Sequence, residues 1–405
     1  MSEDIVLPPY AQEFFVNRQS EIRLVLAKVD ALRQGYAVEK RTVIFTGEHG
    51  TGKTWLLAHL CQLLNAGKSI RSLSINLAPE VADIFSFSFT ITPDLLDSPA
   101  EKITQIILKC LCTELFGLDV PEDKPLSETT RTLTHGVRQL LAEQPLVLLI
   151  NSVYESAGEL LFYLEDNVLA PLIVEPRVMI VMTGRGPDYP WNNPELRRAG
   201  AEFHVLRPFE SAELTVEQLK RHNLKASSDG SFIHQLSGGN PKANYLLAVH
   251  KNLATALDQT IEDMLKPVPA DQRRLTRDYL EALAIPNLFD ETRIPIFLTA
   301  YNPEAYQALS LPQVRDIQRT LVGAGFAFWQ GEGNEYGYAL YDSTRNLIRN
   351  YLIAAQKDLW IKLQQSAIDL YQSWADKYPR NRERWLREAV YHQQQLQFDG
   401  KLIEM

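Results

Sequence analysis

For roughly the first 210 residues, short continuous apolar runs alternate with stretches of helical periodicity. The runs are Thr42 to Thr46, Ile70 to Leu77, Pro145 to Ile150, Val178 to Met182 and Glu202 to Leu206. Leu146-Val147-Leu148-Leu149-Ile150 is apolar at every position, as in a strand covered on both faces of a parallel sheet. Between the runs, an amphipathic helix starts within Phe14 to Ile22 and offers Ile22, Leu24, Leu26, Val29 and Leu32 for burial. Two further helices are expected over 100–116 and 127–142, separated by Val120-Pro121-Glu122-Asp123. Alternating strands and helices predict a doubly wound α/β sheet.

From Ser211 the pattern turns helical. Ser211-Ala212-Glu213-Leu214 reads as a helix start, Ser237-Gly238-Gly239-Asn240-Pro241 as an interruption, and Pro267-Val268-Pro269 as a linker. Residues 270–352 carry three helical segments. Two β runs follow, Phe326 to Trp329 and Tyr336 to Leu340, around the turn 330–334, which predicts a winged helix. Residues 353–405 are helical, with Trp360, Leu363, Leu370, Tyr371, Trp374 and Trp385 forming more aromatic surface than a short appendage hides. Either part of that tail docks on the winged helix and part forms a partner or self-association surface, or the tail is self-contained. No unit recurs three times, which argues against a solenoid. The predicted organisation is a P-loop parallel-sheet core (1–210), a helical lid (211–269), a winged helix (270–352) and an all-helical tail (353–405).

Composition narrows the class. Of 405 residues, 45% are hydrophobic and 22% charged, as in soluble globular proteins. The net charge of −9 argues against a broad nucleic-acid or anionic-membrane surface. Residues 270–352 hold eight Arg, no Lys and ten Asp or Glu, a net of −2, which argues against DNA as a partner. Cys61, Cys110 and Cys112 lack metal-ligand spacing. There is no signal pattern and no apolar run of about 18 residues. The expected location is cytoplasmic, with no membrane association.

The chemistry is concentrated in Gly47-Glu48-His49-Gly50-Thr51-Gly52-Lys53-Thr54, between an apolar strand and the helical pattern that begins Trp55-Leu56-Leu57. This is the full context of a P-loop. The glycines turn backbone N–H groups toward phosphate oxygens, and the helix N-terminus adds its dipole. Lys53 would reach the β- and γ-phosphates, and Thr54 would hold Mg²⁺. A hydrolytic P-loop enzyme normally ends a neighbouring strand in acids that hold the metal's water and activate the attacking one. Here that strand ends in Asn151-Ser152. Neither residue supplies charge or a base, so weak or absent hydrolysis is expected. Glu155 is either a substitute acid or an exposed helix cap. Arg185, after Thr183-Gly184, would face the crevice at the strand ends and read a γ-phosphate, or else is an ordinary loop arginine.

These residues resemble the STAND class of P-loop NTPases, relatives of AAA+ that include the NB-ARC and NACHT ATPases. The resemblance spans about residues 10–352. Phe15-Val16-Asn17-Arg18 with Glu21 is similar to the segment that borders the adenine, and Thr183-Gly184-Arg185 to the sensor strand. Gly239-Asn240-Pro241 is similar to the proline motif of the lid. Leu340-Tyr341-Asp342 is similar to the family's Met-His-Asp motif, with Tyr341 in the histidine's place. The resemblance implies ATP or ADP with Mg²⁺. It implies binding by Asn17, Arg18, Gly47, Glu48, His49, Gly50, Thr51, Gly52, Lys53, Thr54, Trp55, Asn151, Pro241 and Tyr341. It places Lys53 and Arg185 in catalytic roles and Thr54 on the metal. The implied function is a nucleotide-bound regulatory switch acting through protein partners or self-assembly, the alternative being a winged-helix DNA-binding AAA+-like ATPase.

Overall fold

The computed structural model describes residues 8–402 except 67–69, 97, 122, 154–157, 186–190, 225–229, 251, 267 and 333–334. The chain divides into two units, Met1–Arg207 and Pro208–Met405, each described by itself.

In the first unit six parallel strands form one sheet: β1 (Thr42–Thr46), β2 (Arg71–Asn76), β3 (Phe89–Thr90), β4 (Leu146–Asn151), β5 (Val178–Gly184) and β6 (Ala201–Val205). Their spatial order is β3-β2-β4-β5-β1-β6. Every residue of β1, β4 and β5 is buried, as their uninterrupted apolar character requires. Side chains alternate between two apolar layers, Val43 and Phe45 joining one with Val147 and Leu149, Ile44 joining the other with Leu148 and Ile150. Helices close both layers, Gln19–Arg33 and Lys53–Asn65 on the first, Ala100–Phe116 and Leu126–Glu143 on the second.

One strand, β3, has no counterpart among the expected elements. The two residues of β3 pair with Ile75 and Asn76, a strand too short to produce a pattern. The first helix begins at Gln19, within the expected stretch, after Asn17 and Arg18 at φ +66° and +72°, outside helical geometry. Its buried stripe is Ile22, Val25, Val29 and Leu32, while Leu24 and Leu26 are half-buried beside it.

The second unit opens with four helices, Ala212–Arg221, Gly230–Ser237, Pro241–Val249 and Leu253–Leu265. Pro267 of the expected linker lies outside the described residues, and its neighbour Val268 is buried. Helices Arg273–Leu283, Arg293–Tyr301 and Leu311–Gly323 then lead into an antiparallel hairpin, β7 (Ala327–Glu332) and β8 (Glu335–Leu340). This is the winged-helix arrangement. Helices Asp342–Ala355, Lys357–Lys377 and Arg382–Leu402 complete the chain. One apolar core runs through all of these, joining Leu257 and Ile261 to Phe289, Phe297, Leu321, Ile348, Trp360 and Tyr371. The tail is therefore docked. Trp360 and Tyr371 are each 1% exposed, and the Arg293 guanidinium lies 5.0 Å from the ring centre of Trp374. Among the described residues, no helix is long and apolar enough to cross a membrane.

Candidate nucleotide-binding site

β1 ends at Thr46, and the helix Lys53–Asn65 starts six residues after Gly47. The loop between them needs its glycines. A Cβ on Gly47 would lie 2.6 Å from the Leu206 carbonyl oxygen, and Gly52 stands at φ +92° as the helix N-cap. Inside the loop, the Thr51 hydroxyl donates to the Glu48 carbonyl at 2.9 Å. The Lys53 ammonium donates to the carbonyls of Gly47 and Glu48 at 2.7 and 2.6 Å. Lys53 is thus buried and turned back on its own loop. Those neutral acceptors are weaker partners than phosphate oxygens, so the ammonium has electrostatic reason to transfer to an arriving anion. Trp55 is half-buried, edge-on to Tyr10 at 5.5 Å.

Arg18 braces the loop from behind. Its Nη2 donates to the Thr51 carbonyl at 2.8 Å and to the Arg207 carbonyl at 2.7 Å, and the residue is buried. The left-handed backbone at Asn17 and Arg18 delivers the side chain there, a strained geometry of the kind found at working sites. Nearby, Phe15 stacks on His59 at 4.2 Å, and the Tyr10 hydroxyl bonds His59 Nδ1 at 2.7 Å. Burial lowers the His59 pKa, which favours the neutral ring.

At the ends of the central strands stands an uncharged network. The Asn151 side-chain oxygen accepts from Thr54 Oγ1 at 3.3 Å and from Thr183 Oγ1 at 2.8 Å. Its amide nitrogen donates to Asn76 Oδ1 at 2.9 Å. Asn76 in turn bonds both the N–H and the carbonyl of Ala78. Asn76 escaped the sequence reading because its relevance depends on register: it pairs directly with Asn151 across β2 and β4. Ser152 follows at φ +60° and is buried. Glu155, the candidate substitute acid, lies outside the described residues. Among the described residues, no cluster of three or more His, Cys, Asp or Glu could hold a metal. Mg²⁺ would depend on Thr54, the phosphates and this amide network, which fit a hydrated cation and leave the neutralising to the nucleotide.

Arg185, just beyond β5, reaches the loop. Its Nη2 meets His49 Nδ1 at 2.6 Å, so the imidazole nitrogen is the acceptor. A second unexpected residue supports this side of the sheet. Glu165 is fully buried on a π-helical turn, Glu165–Leu169, and its Oε2 accepts the backbone N–H groups of Asn192 and Asn193 at 2.8 Å each. An acid amid apolar neighbours in a helix was the only sequence signal it left.

The remaining predicted residues belong to the second unit. Pro241 is the first residue of its helix, capped by the Asn240 side chain, which accepts from Lys242 N and Ala243 N at 3.1 and 3.2 Å. Gly239 is required there, since a Cβ would lie 2.2 Å from the Phe209 carbonyl oxygen. Tyr341 caps Asp342–Ala355, its ring 4.9 Å from Phe328. Asn240 Nδ2 donates to Ser343 Oγ at 3.4 Å, so the Pro241 and Tyr341 segments adjoin.

The P-loop strand between β5 and β6 of a parallel sheet, the helical segment and the hairpin that follows three helices together decide the architecture. The fold is a parallel-sheet P-loop core followed by a helical unit with an antiparallel hairpin. No family model and no curated protein matches the sequence. Among solved structures, the chain is similar to the Aeropyrum pernix ORC1 protein in complex with DNA, at 14% identity and a TM-score of 0.41, over 84% of this chain and 94% of that one. It is similar to CDC6p from Pyrobaculum aerophilum at 13% identity and a TM-score of 0.42, over 86% and 98%. It is also similar to Drosophila ORC bound to DNA at 14% identity and a TM-score of 0.37, over 81% and 92%. These likenesses concern general fold. Two of the three are nevertheless DNA complexes, and the exclusion of DNA as a partner is withdrawn. Its physical weakness is plain: a net charge averages the whole surface and does not describe a local one.

Proposed function

We propose that the chain is an AAA+-like ATP-binding protein that holds ATP or ADP with Mg²⁺ and hydrolyses slowly. The observation that carries this reading is the pairing of an intact phosphate loop with an uncharged Thr54–Asn151–Asn76 network. The backbone N–H groups of residues 47–54 and the Lys53 ammonium would bind the phosphates, and Arg185 would sense the outermost one. Bound Mg²⁺ would neutralise phosphate charge. At the end of β4 stand Asn151 and Ser152, neither of which is a carboxylate. The finer division of the second unit into lid (211–269), winged helix (270–352) and tail (353–405) belongs to the same proposal.

The test is calorimetry with Mg·ATP and Mg·ADP on the full chain. Wild type should bind one nucleotide. Lys53→Ala should weaken binding by about 2–5 kcal/mol, the usual result of removing one side of a buried charge pair. Equal affinity in both proteins would show that the loop is not the site.

Of the two roles for the bound nucleotide, we carry a DNA-engaging one forward. The helix Leu311–Gly323 exposes Arg315 and Arg319, and the hairpin beside it exposes Trp329 and Tyr336. Arg315 pairs with Glu291 at 2.8 Å and Arg319 with Asp316 at 3.0 Å. Exposed pairs of this kind are worth about 0–1 kcal/mol, so phosphates could displace the acids at small cost. Fluorescence anisotropy of duplex DNA, with ATP and with ADP, should show salt-sensitive binding that Arg315→Ala with Arg319→Ala weakens. Nucleotide binding with no DNA binding at 50 mM salt would return the choice to a regulatory switch of STAND type.

A further inference from the structure

The second unit holds a cavity of about 410 Å³ where β7 and β8, the start of Asp342–Ala355 and the tail helix Arg382–Leu402 converge. Its walls carry three guanidinium groups, Arg293, Arg345 and Arg384, against two carboxylates, Asp342 and Glu388. Arg293 is buried and Arg345 half-buried. Arg293 is 5% exposed; its Nη1 donates to Asp290 Oδ2 at 2.5 Å, while its Nε has no acceptor among the described residues. Arg345 donates Nε and Nη2 to the carbonyls of Ala284 and Ile285 at 3.0 Å each, acceptors that carry no charge. Burial, and then the neighbouring Arg349, lower its pKa, so the surroundings resist the positive charge they contain. Trp385, also in the wall, is buried with its indole N–H lacking an acceptor among the described residues.

Buried donors without acceptors are uncommon in folded proteins and call for a cause. A capping role accounts for two nitrogens of Arg345 and for nothing at Arg293 Nε or Trp385 Nε1. Packing alone would have been served better by apolar residues than by clustered guanidinium groups. What Arg293 Nε and Trp385 Nε1 lack is an acceptor, and arginine's planar fork matches phosphate and carboxylate geometry. We propose that this cavity is a binding site for a small ligand bearing one oxyanion head group, a phosphate monoester or a carboxylate, held by Arg293, Arg345 and Arg384. With Asp290 on Arg293 and with Asp342 and Glu388 in the wall, three acids balance the three guanidinium charges, which disfavours a triphosphate. The volume falls in the range of small-ligand sites. Because the wall joins residues 284–293, 342–345 and 384–388, the ligand would tie the tail to the winged helix.

The test uses the full chain with Lys53→Ala, so that the phosphate loop does not contribute. Inorganic phosphate is titrated in one arm and succinate in the other, at constant ionic strength, by calorimetry. Saturable binding of one ion per chain is expected in at least one arm, and the arm that binds names the head group. Adding Arg384→Met, a half-buried position on the tail helix, should weaken that binding at least tenfold with the unfolding midpoint in ligand-free buffer unchanged. Arg384→Lys, which keeps the charge and loses the fork, should give an intermediate affinity and serves if the methionine variant does not fold. No saturable binding in either arm, or binding indifferent to both Arg384 variants, overturns the proposal.

Discussion

Thr54, in the first turn after the phosphate loop, donates its hydroxyl to the side-chain oxygen of Asn151 across 3.3 Å. In the proposed reading, that oxygen takes the place of the carboxylate that a hydrolytic P-loop enzyme carries. Its partner nitrogen is committed to Asn76 Oδ1 at 2.9 Å. Asn151→Asp would set a carboxylate oxygen against that Asn76 oxygen. Asn76 cannot turn its amide over without losing both bonds to Ala78. The variant should therefore lose about 1–3 kcal/mol of stability, the cost of a buried polar group left badly paired. Mg·ATP should restore part of it, since the cation neutralises the new charge. With Ser152→Asp added, hydrolysis should rise by about 10²-fold or more, the usual contribution of a positioned acid–base group. Unfolding midpoints with and without Mg·ATP, together with turnover rates, check both halves. Wild-type turnover near one per second would contradict the premise.

Arg18 gives a second, separable prediction. Its guanidinium joins the Thr51 carbonyl of the loop to the Arg207 carbonyl at the end of the first unit. Arg18→Met removes both bonds while filling much of the same volume. Hydrogen bonds to charged groups are worth about 1.5–3 kcal/mol, so a loss of that order in stability is expected. Nucleotide affinity should fall as well, because the loop must be held in shape by binding energy instead. A variant as stable as wild type, measured by urea unfolding, would show that the brace carries no load.

How far the sequence could be read depended on how local each signal was. The buried strands β1, β4 and β5 announced themselves because a parallel strand is apolar throughout. The phosphate loop did so because its residues are contiguous. β3 is two residues long, and its pairing with Ile75 and Asn76 leaves no periodicity. Asn76 mattered only once β2 and β4 were in register. The first helix starts inside the stretch its apolar spacing marks, but the left-handed backbone at Arg18 just before it is announced by nothing in that side chain. The tail's aromatic residues were legible as a surface in need of cover, and the core they share with Phe297 and Ile348 supplies it.

That shared core makes the tail a structural part of the second unit. Trp360 is 1% exposed, packed in the same core as the winged-helix residues Phe297 and Leu321. Trp360→Ala should cost about 3–5 kcal/mol, as large-to-small changes of a buried aromatic do. Thermal unfolding followed by near-ultraviolet circular dichroism should show a lower midpoint for the second unit. A change below about 1 kcal/mol would mean that the site collapses around the vacancy or that the tail is dispensable.

His392 makes the stability of this unit depend on pH in a predictable direction. The ring is fully buried and its Nδ1 donates to Gln364 Oε1 at 2.6 Å. It stacks on Tyr371 with ring centres 5.6 Å apart. Burial first, and then the positive charges of Arg345 and Arg349, push its pKa down from 6.5 to about 3. In the folded chain the imidazole is therefore neutral throughout the mildly acidic range. Unfolded, it regains its ordinary value and takes up a proton below about 6.5. Between those two values the unfolded state binds the extra proton, so stability rises with pH. The contribution is fully present above pH 6.5 and is lost as pH falls toward 3. Its slope is at most about 1.4 kcal/mol per pH unit, the equivalent of one proton. His392→Gln keeps a donor for Gln364 and removes the titration. Urea unfolding at pH 7, 6 and 5 should show wild type losing more stability than the variant on acidification, the carboxylates common to both cancelling in the comparison. Parallel losses in the two proteins would show that His392 is protonated without resistance from the fold.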